Sequence, residues 1–107
     1  MELELFIDIR NTFCETDPEV TEGKMMSSPA IHYKNKVFAF FSRRNTMVFK
    51  LGKNYPLQEL DVPLHEFNPF KKRGPLLGWY EVKYTDHHKW MALTSKALEL
   101  IKFEQKI

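Results

Sequence analysis

The segment from Lys36 to Ser42 constrains the fold more than any other, because both faces of its extended form are apolar. Successive side chains of a strand point to opposite faces, which places Phe38 and Phe40 together on one face. The apolar residues of the other face are Val37, Ala39 and Phe41. A strand with two apolar faces is typical of the centre of a sheet that is covered on both sides. We therefore predict a central strand with packed residues above and below it.

Turn signals on both sides of this strand predict that its neighbours are antiparallel to it. Lys34-Asn35 precedes the strand, and Asn tolerates the left-handed conformation that tight hairpin turns need. Arg43-Arg44-Asn45 follows the strand as a second turn. We expect the neighbouring strands over Ala30 to Tyr33 and over Thr46 to Leu51.

Apolar residues recur at helical spacing near both ends of the chain. The first helix is predicted from about Glu2 to Cys14, before Asp17-Pro18 ends the helical pattern. The final helix is predicted from Asp86, as its N-cap, to about Phe103. A short middle helix is predicted from Lys53 to Leu60.

The remaining segments complete an α+β pattern. Extended pieces are predicted at Val20-Thr21 and Lys24-Met25-Met26, and a last strand from Trp79 to Tyr84. Asp61 to Gly78 is predicted to be mostly loop, with a short extended piece near Glu66-Phe67. The expected fold is an antiparallel sheet of about five strands, flanked by an N-terminal, a short middle and a C-terminal helix. With 107 residues, we expect one domain over residues 1–107.

Composition excludes several classes of protein and points to a location. The single cysteine, Cys14, excludes an intrachain disulfide and a cysteine-based zinc cluster within one chain. Its use fits a reducing compartment. The acidic start from Met1 to Leu5 does not resemble a signal peptide. The longest apolar run, Val37 to Phe41, is far shorter than the roughly 18 residues of a membrane helix. We expect a cytoplasmic protein with no membrane partner.

Charge is distributed unevenly along the chain. Residues 1–22 hold seven acids and one base, whereas residues 23–58 hold seven bases and no acid. One interpretation is a phosphate-facing surface, where Lys and Arg displace counterions. The other is that the acidic first helix packs beside the basic stretch and neutralises it. Both interpretations stay open at this point.

Residues that could carry chemistry do not form a recognisable site. Cys14 has no nearby base in the sequence that would activate it as a nucleophile. The adjacent pair His87-His88 points in two directions on a helix and suits a metal poorly. The glycines are too widely spaced for a phosphate-binding loop, at positions 23, 52, 74 and 78. We predict no catalytic residue, no metal and no cofactor.

Five short motifs follow one another along the chain: Lys24-Met25-Met26-Ser27-Ser28-Pro29-Ala30, Lys36-Val37-Phe38-Ala39, Val48-Phe49-Lys50-Leu51, Gly78-Trp79-Tyr80-Glu81-Val82 and Trp90-Met91-Ala92-Leu93. Together they resemble the TfoX N-terminal domain and the related MmcQ/YjbR-like proteins. The resemblance runs from the first helix to Ile101.

This resemblance implies an α+β fold with a curved antiparallel sheet. The MmcQ/YjbR-like proteins are described as DNA-binders that use a double wing of hairpins, and TfoX is linked to the regulation of competence for DNA uptake. The family has no established catalytic residues. The resemblance therefore implies a regulatory domain with no enzymatic activity.

Two functional hypotheses follow. The first is a small non-enzymatic interaction domain that binds another protein, or a second copy of itself through an exposed sheet edge or apolar face. The second is a nucleic-acid-binding module that uses basic turns and a basic loop. Successive hairpin turns usually alternate between the ends of a sheet, which argues against one shared basic surface. The candidate nucleic-acid-binding residues are Lys34, Lys36, Arg43, Arg44, Lys71, Lys72 and Arg73.

Overall fold

The chain folds into one antiparallel sheet with two long helices packed on the same face, as seen in a computed structural model that describes residues 2–25, 27–52, 65–67 and 77–105. The strand order is β1-β2-β3-β4-β6-β5, and every neighbouring pair is antiparallel. The predicted α+β class is confirmed. The elements are α1 (Glu2–Thr16), β1 (Val20–Met25), β2 (Ser28–Tyr33), β3 (Lys36–Phe41), β4 (Met47–Lys50), β5 (His65–Glu66), β6 (Trp79–Val82), a 3₁₀ segment (Tyr84–Lys89) and α2 (Trp90–Gln105).

Both predicted turns beside β3 are present. Lys34 and Asn35 have φ values of 49° and 69°, so both central residues of the first turn are left-handed, as a tight hairpin requires. In the second turn, Asn45 has a φ of 60°. The N–H of Ser42 donates to the carbonyl oxygen of Thr46 at 2.8 Å and closes that turn.

A bulge in β3 changes which residues share a face. The pairing of β3 with β2 shifts between Ile31 and His32, and Phe38 is left without a pairing partner in the ladder. Phe38 therefore packs on the helix side of the sheet, whereas Phe40 packs on the opposite side. The prediction that Phe38 and Phe40 share a face is wrong, because strict alternation fails across a bulge.

Buried apolar residues lie on both sides of β3, as predicted. On the helix side, a large core joins both helices to the sheet, and the indole N–H of Trp90 donates to the carbonyl of Val82 at 3.2 Å. On the opposite side, Phe40 meets Phe67 edge-to-face with ring centroids 5.3 Å apart. The buried members of this second core are Ala30, Phe40, Val48 and Phe67. Burial of such large side chains on both faces fixes β3 at the centre of the molecule.

The final helix begins later than predicted. Tyr84–Lys89 forms 3₁₀ turns, and α2 starts only at Trp90. Asp86 lies inside the 3₁₀ segment with non-helical angles, φ −110° and ψ 27°, so it does not act as the N-cap of α2. The stacked rings of Tyr84 and His87, with centroids 4.5 Å apart, occupy this stretch instead.

The middle of the chain is described only in part. The predicted short helix from Lys53 to Leu60 lies outside the described residues, as does most of the predicted loop from Asp61 to Gly78. The extended piece predicted near Glu66-Phe67 is confirmed as β5. Within the described residues, neither helix is long and apolar enough to cross a membrane.

An ion pair joins the ends of the two helices. Asp17 follows α1, and its Oδ2 lies 2.7 Å from Nζ of Lys102 in the last turn of α2. Asp17 also accepts the N–H of Glu19 at 3.0 Å. The hydrogen bond from Lys102 lowers the pKa of the Asp17 carboxyl, and the same bond raises the pKa of Lys102. Both groups therefore stay charged over a wider pH range than they would alone.

We predict that Asp17→Asn lowers the free energy of unfolding by about 0.5–1 kcal/mol near neutral pH, since a partly exposed ion pair of this kind contributes about that much. The folded-state pKa of Asp17 lies below its ordinary value of 3.8, so the pair stabilises the fold above that value. This stabilisation is lost as the pH falls through the folded-state pKa. Urea unfolding at several pH values measures the difference.

The matched control is Asp8→Asn, since Asp8 is exposed on α1 and makes none of the ion pairs of the described residues. Its effect should be small at every pH. A constant difference between wild type and Asp17→Asn from neutral to strongly acidic solution would contradict the assignment.

Candidate functional site

The candidate site is the surface around the turn between β3 and β4, because this turn carries two arginines on a tightly bonded backbone. The Ser42 hydroxyl lies 2.6 Å from the hydroxyl of Thr46 across the turn. The Ser42 oxygen also accepts the backbone N–H groups of Arg44 and Thr46, at 3.2 and 3.3 Å. Ser42 and Thr46 are both buried, so the base of the turn is shielded from water. We name this surface, formed by residues 42–46 and their neighbours, the turn surface.

A buried carboxylate on β6 anchors the turn. Glu81 is only 9% exposed and lies opposite Val48 in the sheet, on the side of the second core. Thr46 donates its hydroxyl to Glu81 Oε2 at 2.9 Å, and Arg44 donates from Nη1 to Oε1 at 3.1 Å. The Thr46 hydroxyl has one proton and donates it to Glu81. In the bond between the two hydroxyls, Ser42 is therefore the donor and the Thr46 oxygen is the acceptor. A continuous chain of hydrogen bonds therefore runs from the turn to β6.

Arg44 is held in place by a second contact. Its guanidinium carbon lies 5.6 Å from the ring centroid of Phe67, the aromatic residue after β5. A guanidinium over an aromatic face is attracted by the ring quadrupole. Arg44 thus connects the turn to β6 and to the second core. Although its side chain is 54% exposed, its charge is already partnered by Glu81.

Two clefts flank the turn and meet at Asn45, which lines both. The larger cleft, about 660 Å³, has polar and apolar surface in similar shares, and its lining residues are Glu2, Arg44, Asn45, Thr46, Glu81, Lys83, Tyr84 and Thr85. The smaller cleft, about 250 Å³, is more apolar, and its lining residues are Leu3, Ser27, Ser28, Pro29, Phe41, Ser42, Arg43 and Asn45. Arg43 is exposed at the mouth of the smaller cleft. The first turn of α1 contributes to both clefts.

The four predicted basic residues that the structure describes do not form one surface. Arg43 and Arg44 lie at one end of β3, while Lys34 and Lys36 lie at the other end. A six-residue strand separates the two pairs by about 20 Å. Lys34 lies beside Tyr33, with Nζ 5.6 Å from the ring centroid. The other three candidates, Lys71, Lys72 and Arg73, lie outside the described residues.

Two bases of the basic stretch pair with acids of later elements. Arg44 pairs with Glu81 of β6, and Lys50 pairs with Glu104 of α2 at 3.5 Å. In the acidic segment itself, Glu22 pairs with Arg10 at 3.1 Å. Partners of these two bases therefore come from the sheet and the final helix.

The side chains that could act as a nucleophile or a metal ligand are Cys14 and the histidines. Cys14 is half-buried on α1, and this burial raises the pKa of its thiol, which reduces the reactive thiolate. The Nδ1 atom of His87 lies 2.8 Å from the carbonyl oxygen of Tyr84. In the part of the chain that the structure describes, no three His, Cys, Asp or Glu side chains are grouped to hold a metal ion.

Sequence reasoning missed the residues that anchor the turn: Ser42, Thr46 and Glu81. One signal was available for Glu81, since an acid between apolar residues of a predicted strand needs a partner when that strand is buried. The partner itself was not visible, because Arg44 is 37 residues away in the sequence.

The fold and the site define an α+β domain with a structurally fixed, two-cleft turn surface. No family model, curated protein or solved structure matches the chain. Functional assignment therefore rests on the chemistry of this surface.

We predict that Arg44→Met lowers the free energy of unfolding by about 1–2 kcal/mol, because it leaves the buried Glu81 carboxylate without its cation. In the background of Glu81→Gln, the same change should cost at least about 1 kcal/mol less. Chemical unfolding of the wild type, both single variants and the double variant measures this coupling.

The neighbouring substitution Arg43→Met is the matched control, since Arg43 is exposed and forms none of the ion pairs of the described residues. It should change stability by no more than about 0.5 kcal/mol. Equal costs for the two arginine variants would show that Glu81 does not depend on Arg44.

Proposed function

We propose that this chain is a non-catalytic interaction domain that binds another protein through the turn surface. The observation that carries the proposal is the hydrogen-bonded chain from Ser42 through Thr46 to Glu81, which fixes the turn while leaving Arg43 exposed beside the smaller cleft. A binding residue on a fixed turn loses little conformational entropy when it engages a partner. Exposed turns positioned by a rigid sheet are common binding elements.

The mixed chemistry of the turn surface favours a protein over a nucleic acid. Its larger cleft holds the carboxylates of Glu2 and Glu81 together with Arg44 and Lys83. Nucleic-acid interfaces are much more uniformly positive, because every contacted phosphate is negative. The adjoining cleft has an apolar wall, in which Leu3 is 44% exposed. An apolar anchor with both signs of charge beside it suits a protein side chain with a polar surround.

The state of the reactive groups supports a role without catalysis. Glu81 is bonded to Arg44 and Thr46, which leaves it poorly placed to exchange protons with a substrate. Burial raises the pKa of Cys14 and disfavours its nucleophilic form. Neither group has the activation that acid–base or nucleophilic catalysis needs.

The antiparallel α+β sheet agrees with the fold implied by the resemblance to the TfoX N-terminal domain and MmcQ/YjbR-like proteins. We therefore extend the proposal to a regulatory role, as the resemblance to these proteins implies. The single cysteine fits a reducing environment, which supports a cytoplasmic location.

Nucleic-acid binding is the second candidate, and the exposed Lys34 and Lys36 favour it. These lysines and the arginines of the other turn lie at opposite ends of β3, and Arg44 is already paired with Glu81. From the described candidates alone, we therefore expect one end to supply at most about two phosphate contacts. The logarithm of affinity for duplex DNA would then fall against that of salt with a slope of about −1.8.

Affinity capture with three immobilised forms of the chain tests the protein-binding proposal. The baits are wild type, Arg43→Glu and Lys36→Glu, and recovered proteins from a lysate of the source cell are quantified by mass spectrometry. Reversing the charge of Arg43 on the turn surface should lower the affinity for a specific partner by about tenfold or more. We expect at least one protein to be recovered by wild type and Lys36→Glu but lost with Arg43→Glu.

The Lys36→Glu variant is matched to Arg43→Glu, since it also reverses one exposed cation but at the opposite end of β3. If no captured protein is lost specifically with the Arg43→Glu bait, the turn surface is not the binding site.

Fluorescence anisotropy with duplex and single-stranded DNA at two salt concentrations tests the second candidate, nucleic-acid binding. Binding weakened by both variants, with a slope near −3.6 for four phosphate contacts, would favour nucleic acid over protein.

A further inference from the structure

β1 forms an edge of the sheet and has β2 as its one neighbour among the described strands. Its exposed residues include Glu22 and Lys24, whose side chains share one face of the strand. The Glu22 side chain is 69% exposed even though its Oε2 is paired with Arg10. An edge strand presents unpaired N–H and C=O groups that another strand can bind.

The hydrogen-bonding pattern shows which backbone groups of β1 point outward. The N–H of Lys34 donates to the carbonyl oxygen of Glu19 at 3.1 Å, so the backbone of Glu19 points toward β2. In an antiparallel ladder this direction alternates, and Gly23 therefore also points toward β2. Glu22 and Lys24 point away from it. The partner of Lys24 is Pro29, which has no N–H to donate, and this agrees with the assignment.

The outward groups allow a second copy of β1 to pair antiparallel across a two-fold axis. When the axis passes through Gly23, Glu22 of each copy lies opposite Lys24 of the other copy. Both residues have outward-pointing N–H and C=O groups, so these two pairs make four backbone hydrogen bonds. Their side chains lie on the same face and bring opposite charges together twice. Gly23 lies at the axis, and the imidazole of His32 in the same chain fills the space that a side chain of residue 23 would occupy.

The neighbouring registers are disfavoured by charge. An axis through Glu22 places the two Glu22 carboxylates directly opposite each other, and an axis through Lys24 does the same with two ammonium groups. Like charges at opposed positions in a sheet are destabilising. Charge complementarity therefore selects the register centred on Gly23, and it selects a second copy of this chain as the strand that fits.

We propose that the chain self-associates through β1, in the antiparallel register centred on Gly23, and joins two six-stranded sheets into one. The interface is isologous, since the same strand is used by both copies. Addition of one six-residue strand is small for a protein interface, so we expect a dissociation constant between about 1 μM and 1 mM. The proposal does not depend on the function assigned to the turn surface.

Sedimentation velocity over a concentration series, with the wild type and two charge variants, tests the proposal. Glu22→Lys places two lysines opposite each other in each pair, and Lys24→Glu places two glutamates opposite each other. We expect each variant alone to dimerise about tenfold more weakly than wild type. An equimolar mixture of the two single variants restores both opposite-charge pairs. We expect this mixture to form a heterodimer over the same range of protein concentration in which wild type forms its homodimer.

The control Lys36→Glu reverses a charge away from the edge and should dimerise like wild type. Far-ultraviolet circular dichroism checks that each variant is folded. If one single variant fails to fold, the double variant Glu22→Lys/Lys24→Glu still tests the proposal. Its two positions exchange their charges, so each opposed pair still joins a cation to an anion, and it should dimerise like wild type.

A wild-type chain that stays monomeric up to about 1 mM would overturn the proposal, and the charges on β1 would then serve only to keep the edge unpaired. Dimerisation of wild type that neither single variant weakens, or that mixing fails to restore, would overturn the register. Arg43→Glu should dimerise normally, so failure of self-association and failure of partner binding are distinguishable.

Discussion

Phe38 and Phe40 belong to different cores although a single residue separates them, and the rest of the structure depends on this arrangement. The bulge in β3 turns Phe38 toward the two helices and leaves Phe40 to pack against Phe67 on the opposite side. One strand thus holds both layers of the molecule. Because both faces of β3 are buried, its register is fixed, and so are the positions of the turns at its two ends.

The buried carboxylate of Glu81 connects this packing to the turn surface. A carboxylate at the edge of an apolar core is costly unless it is paired and hydrogen-bonded. Arg44 and Thr46 satisfy it, and in doing so they fix the turn that presents Arg43. Because Glu81 needs a cation as its partner, the charge of Arg44 is already used inside the molecule. Its neighbour Arg43, which is exposed and outside the described ion pairs, is the arginine that we propose for partner binding.

Much of this architecture could be predicted from local sequence, and the missing parts depend on contacts between distant residues. Asn35 and Asn45 mark their turns because the left-handed conformation is a local property. The bulge at Phe38 leaves no such mark, since it arises from how β2 and β3 fit together. The Arg44–Glu81 pair spans 37 residues, and periodicity carries no information about it. Asp86 looks like a helix cap, but it lies with non-helical angles inside the 3₁₀ segment, and α2 starts only at Trp90.

The turn between β3 and β4 and the outward edge of β1 are different parts of the sheet, and the smaller cleft lies between them, since Ser28 and Pro29 line it and pair with Met25 and Lys24 of β1. β1 presents its long side, whereas the turn between β3 and β4 lies at a strand end two strands away. A dimer joined through β1 would carry two turn surfaces related by a two-fold axis. A partner with two matching sites would then bind the second surface at a high effective concentration, with a gain in avidity that requires no new contact. Weak self-association and weak partner binding would therefore strengthen each other, since each stabilises the geometry that the other uses.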